Sequence, residues 1–214
     1  MSENIMNLKC PCCNAEGRVT VPDIIDAEKS PQMAEKIFTG ELFIYKCTGC
    51  GEKLRLSFPL LYINRKDKIA VQYANNEKNF KPALTVADQL KMELGDSVSV
   101  RVVCSSEDLI EKALIFRSGL DDRVIEMMKL SAYSKVKSDY PDITVNNVLF
   151  APVKDKYGMF IRGSKNLQLL LSRDTYDRIV TDMGDILTAQ DNQTYLVNEK
   201  WAAKMAHLLD LKGN

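Results

Sequence analysis

The sequence predicts an α+β chain in three parts. A β unit built around four cysteines, with one helix inserted, precedes an αα-hairpin and a C-terminal α+β unit. Three observations carry this reading. Two Cys-x-x-Cys pairs, Cys10-Pro11-Cys12-Cys13 and Cys47-Thr48-Gly49-Cys50, lie among strand-like segments. Two helical patterns with capping residues follow one another between residues 105 and 133. After residue 142, strands and helices recur with hairpin-like spacing, which argues for α+β over a doubly wound sheet.

The elements are expected in this order. Gly17-Arg18-Val19-Thr20-Val21 alternates polar and apolar, the period of a half-buried strand. Ser30-Pro31 reads as an N-cap followed by proline at the first helical position. The short helix it opens runs to Gly40, with Met33, Ala34, Ile37 and Phe38 on one side. Strands are expected at 41–46, 54–63 and 68–73, the first of them delivering Cys47 and Cys50. Lys81-Pro82 marks the end of this first part, residues 1–81.

Residues 82–138 read as a helical extension. A short amphipathic helix at 84–94 ends at Gly95, and Val98, Val100, Val102 and Val103 form a strand. Ser105 and Asp108 have capping-box spacing, and Glu107 and Asp108 lie in a first turn, where the helix dipole favours acids. That helix buries Leu109, Ile110, Ala113, Leu114 and Phe116 and stops at Gly119, which can take the left-handed C-terminal conformation. Asp121 then caps a second helix to about Tyr133. Val124, Ile125, Met127 and Met128 lie along it, its methionines read as core packing rather than a soft binding groove. Ser134–Pro141 is the candidate linker. In residues 139–214, strands are expected near 142–153, 157–162, 166–171 and 194–197. Ser172 caps a helix ending at Gly184. Asn198 caps a last helix that carries Trp201, Met205, Leu208 and Leu209 on one face.

The composition is that of an ordinary soluble globular chain, 45% hydrophobic and 27% charged over 214 residues. No apolar run reaches the roughly 18–20 residues that span a bilayer. The N-terminal stretch has neither a basic leader nor an apolar core, so no secretion signal is expected. Six cysteines with no such signal fit a reducing, cytoplasmic setting in which thiols hold metal. Lys plus Arg and Asp plus Glu are both 29, giving zero net charge. The three parts carry 12 basic against 10 acidic, 8 against 9, and 9 against 10 side chains. None has the basic excess usual in phosphate-binding proteins. One local cluster, Lys46, Lys53, Arg55, Arg65, Lys66 and Lys68, reads as a solvated β surface.

Each Cys-x-x-Cys puts two thiols on a tight loop. Two such loops form the four-sulfur shell that zinc prefers, with bonds of about 2.3 Å. Pro11 fixes φ inside the first loop, and Gly49 or Gly51 lets the second curl so that N–H groups face sulfur. Strand, cysteine loop and strand on either side of such a site is zinc-ribbon architecture. The 33 residues between Cys13 and Cys47 exceed the spacing of about 15–20 in ordinary pairs of this kind, which is where the inserted helix belongs. Redox dithiols and buried free thiols are the competing readings. A redox Cys-x-x-Cys sits at a helix N-terminus, whereas both pairs here adjoin strands. Iron uses the same four-sulfur set, so zinc and iron both remain open. Cys10, Cys13, Cys47 and Cys50 are thus the candidate ligands. Cys104, alone in a valine strand, reads as a core thiol.

Catalytic patterns are not evident. The single histidine, His207, lies on the last helix and reads as a surface or helix-end residue. Asp121-Asp122 is explained by capping. No phosphate loop, His-Glu-x-x-His motif or Gly-x-Ser-x-Gly elbow is present. A closed four-sulfur shell also leaves no coordination position for water.

The cysteine motifs, with Gly40-Glu41-Leu42-Phe43-Ile44-Tyr45-Lys46-Cys47-Thr48-Gly49-Cys50-Gly51 and Phe58-Pro59-Leu60-Leu61-Tyr62, resemble the bacterial CpXC family. Asp108-Leu109-Ile110-Glu111-Lys112 and Gly119–Glu126 look like the helical part of the same proteins. The resemblance covers roughly residues 7–133. It implies a metal-binding domain of undetermined role, carries Cys10, Cys13, Cys47 and Cys50 over as ligands, and supplies no catalytic residue. This chain departs from the pattern by having cysteine at the variable position, Cys12, a competing ligand or a neighbouring thiol. The expectation is a non-catalytic zinc protein that binds a protein partner or regulates one. The alternatives are a nucleic-acid-binding zinc ribbon and, less favoured, an enzyme with an unrecognised site.

Overall fold

In the computed structural model, which describes residues 3–154, 156–189 and 194–212, the first cysteine pair lies in the loop of an antiparallel hairpin. Its strands are β1 (Glu3–Lys9) and β2 (Glu16–Pro22), in register from Glu3 opposite Pro22 to Lys9 opposite Glu16. β3 (Ile24–Asp26) and α1 (Pro31–Phe38) follow. Proline starts α1 as expected, but the Ser30 side chain makes no capping hydrogen bond; its carbonyl accepts from Met33 and Ala34 instead. The strand expected at 41–46 is halved. Residues 41–43 form a 3-10 turn, entered through Gly40 at φ 74°, and only β4 (Ile44–Lys46) is extended.

β4 pairs with β5 (Lys53–Arg55) in a second hairpin, again with cysteines in its loop. The single strand expected at 54–63 is two strands in different sheets, because β5 ends before Phe58-Pro59 and β6 (Leu60–Asn64) starts after them. β6 is antiparallel to β7 (Ile69–Tyr73). α2 (Glu77–Leu94) then leads to β8 (Ser99–Val103), parallel to β7. The four-stranded sheet has the order β3-β6-β7-β8. Its inner strands read as continuous apolar runs because they are covered: Leu60, Tyr62, Ile69, Ala70 and Val71 have no exposure at all.

α2 begins seven residues before the expected start. Asn76 accepts the Asn79 N–H at 3.1 Å and Glu77 occupies the first turn, a start signal stronger than the break expected at Pro82. α3 (Ser106–Arg117) is capped by the Ser105 hydroxyl, which accepts the Asp108 N–H at 3.0 Å.

The chain divides into two compact units, Met1–Ala113 and Leu114–Asn214, with the division inside α3. The sequence suggests three parts bounded at 81/82 and 138/139, and the packing around the last of these boundaries lies in the second unit. There, α4 (Asp122–Asp139) packs against β9 (Val145–Val153), β10 (Lys156–Gly163), α5 (Arg173–Asp182) and α7 (Glu199–Lys212). Val124, Ile125, Met128, Ala132 and Val136 share one buried cluster with Val148, Phe150, Met159 and Ile161. The linker expected at 134–141 is therefore mostly helix: Ala132 and Val136, one turn apart, continue the apolar face of α4 to its end. Met127 joins Met183, Val197, Trp201 and Met205 in a second cluster, so these methionines are core.

β10 lies between β9 and β11 (Leu167–Leu171) in an antiparallel sheet. Ser172 caps α5, and a short helix α6 (Gly184–Ala189) follows. The strand expected at 194–197 does not form; Val197 is buried, and Asn198 accepts N–H groups from Lys200 and Trp201 to start α7. On α7, Trp201 and Met205 are buried whereas Leu208 is exposed. Among the described residues no helix is long and apolar enough to cross a membrane.

Candidate metal centre

The two cysteine loops have the same backbone construction. In the first, the Cys10 N–H donates to the Ala15 carbonyl (2.9 Å) and the Asn14 N–H donates back to the Cys10 carbonyl (2.9 Å). In the second, Cys47 N–H donates to Glu52 (2.8 Å) and Gly51 N–H to Cys47 (2.9 Å). Each loop is thus closed by bonds at the same offsets from its first cysteine. The residue four places on must adopt left-handed backbone: Asn14 has φ 61° and Gly51 φ 79°. Gly51 is the hinge of the second loop. Gly49 serves the site differently, since a Cβ there would lie 3.0 Å from Ala15 Cβ and 3.2 Å from Cys13 Sγ.

Short-range packing brings the hairpins together. Gly17 on β2 faces the Tyr45 ring on β4, and a Cβ on residue 17 would collide with Tyr45 Oη and lie 2.9 Å from Cζ. Phe43, just before β4, is buried against Phe58 (centroids 5.5 Å apart) and Tyr73 (6.1 Å), which ties the second hairpin to the four-stranded sheet. The first is tied through β2 into Asp23, whose carbonyl accepts from Leu61.

The four sulfurs converge as a result. Cys10, Cys13, Cys47 and Cys50 Sγ all lie within 4.8 Å of one another. Cys10 to Cys50 and Cys13 to Cys47 are each 3.6 Å. A tetrahedral shell with bonds of about 2.3 Å has sulfur–sulfur edges of about 3.8 Å, so the donor set fits a metal ion with little movement. Each loop contributes one buried thiol, Cys10 or Cys47, and one exposed thiol, Cys13 or Cys50. Cys12 is exposed and is not one of the four clustered thiols.

The protons on these sulfurs are unevenly held. The N–H groups of Cys50 and Gly49 point at Cys47 Sγ and, outweighing its burial, lower that thiol to about 6. At Cys50 the Glu52 N–H works the same way. It is overcome by the thiol of Cys13, by burial, and by Cys10 and Cys47, which together push Cys50 up to about 12. Cys13 is also raised: the Ala15 N–H and Cys50 lower it, but Cys47, burial and Cys10 outweigh them. Crowded sulfurs of this kind share protons, and a bound cation removes the conflict by favouring thiolate at every ligand.

A family model for CpXC proteins matches residues 8–129, more than half of the chain and both cysteine pairs. The fold and site thus define an α+β protein with a four-cysteine cluster compatible with metal binding. The chain belongs to the CpXC family. Neither the curated proteins nor the solved structures contain a significant match.

The other residues singled out by the sequence lie apart from this chemistry. Cys104 is exposed, not a core thiol; partial shielding from water by the protein around it, together with the nearby Asp108 charge, raises its pKa. It comes just after the last residue of β8, beyond the sheet cover that buries Val100 to Val103. His207 is exposed on α7. Asp121 caps α4 by accepting from the Arg123 N–H at 2.9 Å and pairs with the Arg123 guanidinium. The basic cluster is exposed, but Arg55 is paired with Glu107 (2.7 Å) and Arg65 with Asp26 (2.8 Å). Of the two tyrosines that flank this cluster in sequence, Tyr62 is fully buried and Tyr45 is half-buried with the hydroxyl end of its ring against Gly17. Sequence reasoning missed Asn14 and Tyr45 as site residues. Aligning the two loops on their first cysteines, which sets Asn14 against Gly51, was the available signal for the former.

Proposed function

We propose that the four cysteines hold one structural zinc ion in a zinc-ribbon-like site, and that the protein works without catalysis, by binding or regulating a protein partner. One observation carries this: two hairpins with matching backbone bonds supply two sulfurs each to a single cluster with tetrahedral spacing. Zinc suits such a shell because it is redox-silent and has no geometric demand beyond four soft ligands. Bound there, it cross-links the two hairpins beside the Gly17–Tyr45 contact. A closed shell stabilises without offering a site to substrate. A reducing, cytoplasmic location keeps the thiols available. The protein-partner reading is supported by zero net charge.

Nucleic-acid binding is the second reading, supported by the exposed lysines Lys46 and Lys53 on the second cysteine hairpin and Lys66 and Lys68 in the β6–β7 turn. It is weakened by the paired arginines and by the buried Tyr62. Metal analysis of protein purified without chelator tests the first part: one zinc per chain is expected, and neither zinc nor iron would refute it. Anisotropy titration with single- and double-stranded nucleic acid at low salt separates the two binding readings. Retention that weakens steeply with salt favours nucleic acid. No retention, with a protein recovered by pull-down and lost in Cys47→Ser, favours the protein partner.

A further inference from the structure

Exposure and distance do not treat the four clustered sulfurs alike. Cys10 and Cys47 are 1% and 4% exposed, whereas Cys13 and Cys50 lie open. An oxidant in solution therefore meets Cys13 or Cys50 first. Each of these has a buried thiol of the opposite hairpin 3.6 Å away, Cys47 for Cys13 and Cys10 for Cys50. Gly49 keeps one of these pairs uncovered. A Cβ there would lie 3.2 Å from Cys13 Sγ and 3.8 Å from Cys47 Sγ, so the missing side chain leaves that face of the pair free.

We propose that this centre is a peroxide-sensitive switch, in which each exposed sulfur is oxidised and then captured by the buried sulfur of the other hairpin, giving Cys10–Cys50 and Cys13–Cys47. The inference rests on the zinc reading above. Zinc itself is redox-silent, but it holds its ligands as thiolates, the nucleophilic form. The Cys50 thiolate attacks one oxygen of hydrogen peroxide and the O–O bond breaks. Sulfur becomes sulfenic acid, and the departing hydroxide takes a proton to form water. Cys10 thiolate then attacks the sulfenic sulfur, forms the S–S bond and expels a second hydroxide, which is protonated in turn. Each disulfide thus consumes one peroxide and removes two electrons from two thiolates. Cys13 and Cys47 repeat the step, and Zn2+ leaves once its donors are spent. Reaching a disulfide bond length needs about 1.5 Å of approach from the present spacing.

The pairing decides what oxidation does to the fold. Disulfides within a loop, Cys10–Cys13 and Cys47–Cys50, would remove the link between the hairpins along with the metal. Pairs across the hairpins replace one metal link by two covalent ones. The bonds that close each loop, Cys10 N–H to Ala15 and Cys47 N–H to Glu52, involve no sulfur and persist in both states. The first unit then exchanges metal for disulfide without opening.

The test treats the full chain, its zinc counted beforehand, with hydrogen peroxide. Released zinc is followed with a chromophoric chelator, and disulfides are mapped by mass spectrometry without reduction. A variant carrying both Cys12→Ser and Cys104→Ser is treated alongside; both positions are exposed, and only the clustered cysteines remain in it. Loss of one zinc per chain is expected, with Cys10–Cys50 and Cys13–Cys47 as the bonds in both proteins. Hydrogen-exchange protection across residues 7–75 should persist, and a dithiol reductant with zinc should restore the starting state. Disulfides within a loop or to Cys12, loss of that protection, or zinc retained at peroxide that oxidises free cysteine overturns the switch. Absence of metal at the start refutes the zinc reading and the switch with it, whereas metal at the start followed by any of those results refutes the switch alone.

Discussion

Asn14 and Gly51 are structural counterparts, each four residues beyond the first cysteine of its loop, each left-handed, and each donating its N–H to that cysteine's carbonyl at 2.9 Å. The two cysteine loops are therefore one local structure used twice. Only glycine takes this conformation without cost, and asparagine is the best tolerated of the others. Gly51→Ala is expected to cost about 1–2 kcal/mol, the penalty of a left-handed Cβ. Asn14→Gly should be close to neutral, and Asn14→Val worse than Gly51→Ala. Denaturant midpoints with metal bound, alongside competition with a chromophoric chelator, check this order.

Removal of one sulfur should act on the first unit above all. Structural zinc in finger peptides is worth about 10–16 kcal/mol of apparent binding free energy, more than most small folds possess. Cys47→Ser is expected to lose metal and unfold residues 7–75. The single tryptophan, Trp201, lies buried in the second unit and reports on it separately. Native tryptophan emission together with lost amide protection across 7–75, read by hydrogen exchange, is the expected result.

Alkylation of the metal-free chain tests the uneven proton affinities. With Cys47 lowered to about 6 and Cys50 raised to about 12, the rise of the Cys47 thiolate should be centred near pH 6, while Cys50 stays protonated through neutral pH. Mass mapping of iodoacetamide adducts against pH, in a short pulse, reads the two sites separately. Equal reactivity at neutral pH would contradict the asymmetry.

Asp26 makes acid stability predictable in sign. Burial alone would raise its pKa, but hydrogen bonds from Arg65 and the N–H groups of Glu28 and Lys29, with the Arg65 charge, bring it below the usual value. A depressed carboxyl contributes stability in full above its unfolded pKa of about 3.9, and loses it as pH falls through the lower native value. Asp26→Asn should therefore be less stable than wild type at neutral pH, with the difference shrinking on acidification through that window. Paired denaturation curves across pH, compared as differences, remove the effect of metal loss common to both.

The Gly17–Tyr45 contact sets how closely the hairpins approach. Gly17→Ala should destabilise by about 1–3 kcal/mol, as overpacking does, and weaken metal binding. In a Tyr45→Ala background the same change should cost much less. A double-mutant cycle gives the coupling, and additive effects would exclude the contact as the cause.

Much of this architecture was written in local pattern. The cysteine pairs, the proline that starts α1, the Ser105, Asp121, Ser172 and Asn198 caps, and the β9–β11 run all depend on neighbours a few residues apart, so the chain itself specifies them. The sequence likewise named the four cysteines, because a chelating loop is a local object. What it could not specify were the consequences of packing between distant segments. Whether 54–63 is one strand or two depends on Phe58 packing against Phe43, not on its alternation. Whether 134–141 is linker or helix depends on Val136 finding a buried cluster built from β9 and β10. Pro82 looked like a break because a missing N–H counts against helix, but the cap at Asn76 begins the helix before the proline is reached. Cys104 looked interior because the valines before it are, although the cover ends one residue earlier. The convergence of four sulfurs from two loops 33 residues apart rests on Gly17 admitting the Tyr45 ring and on Phe43 anchoring its hairpin. Short-range backbone preference determined the pieces, and long-range side-chain burial decided where each one ends and what it meets.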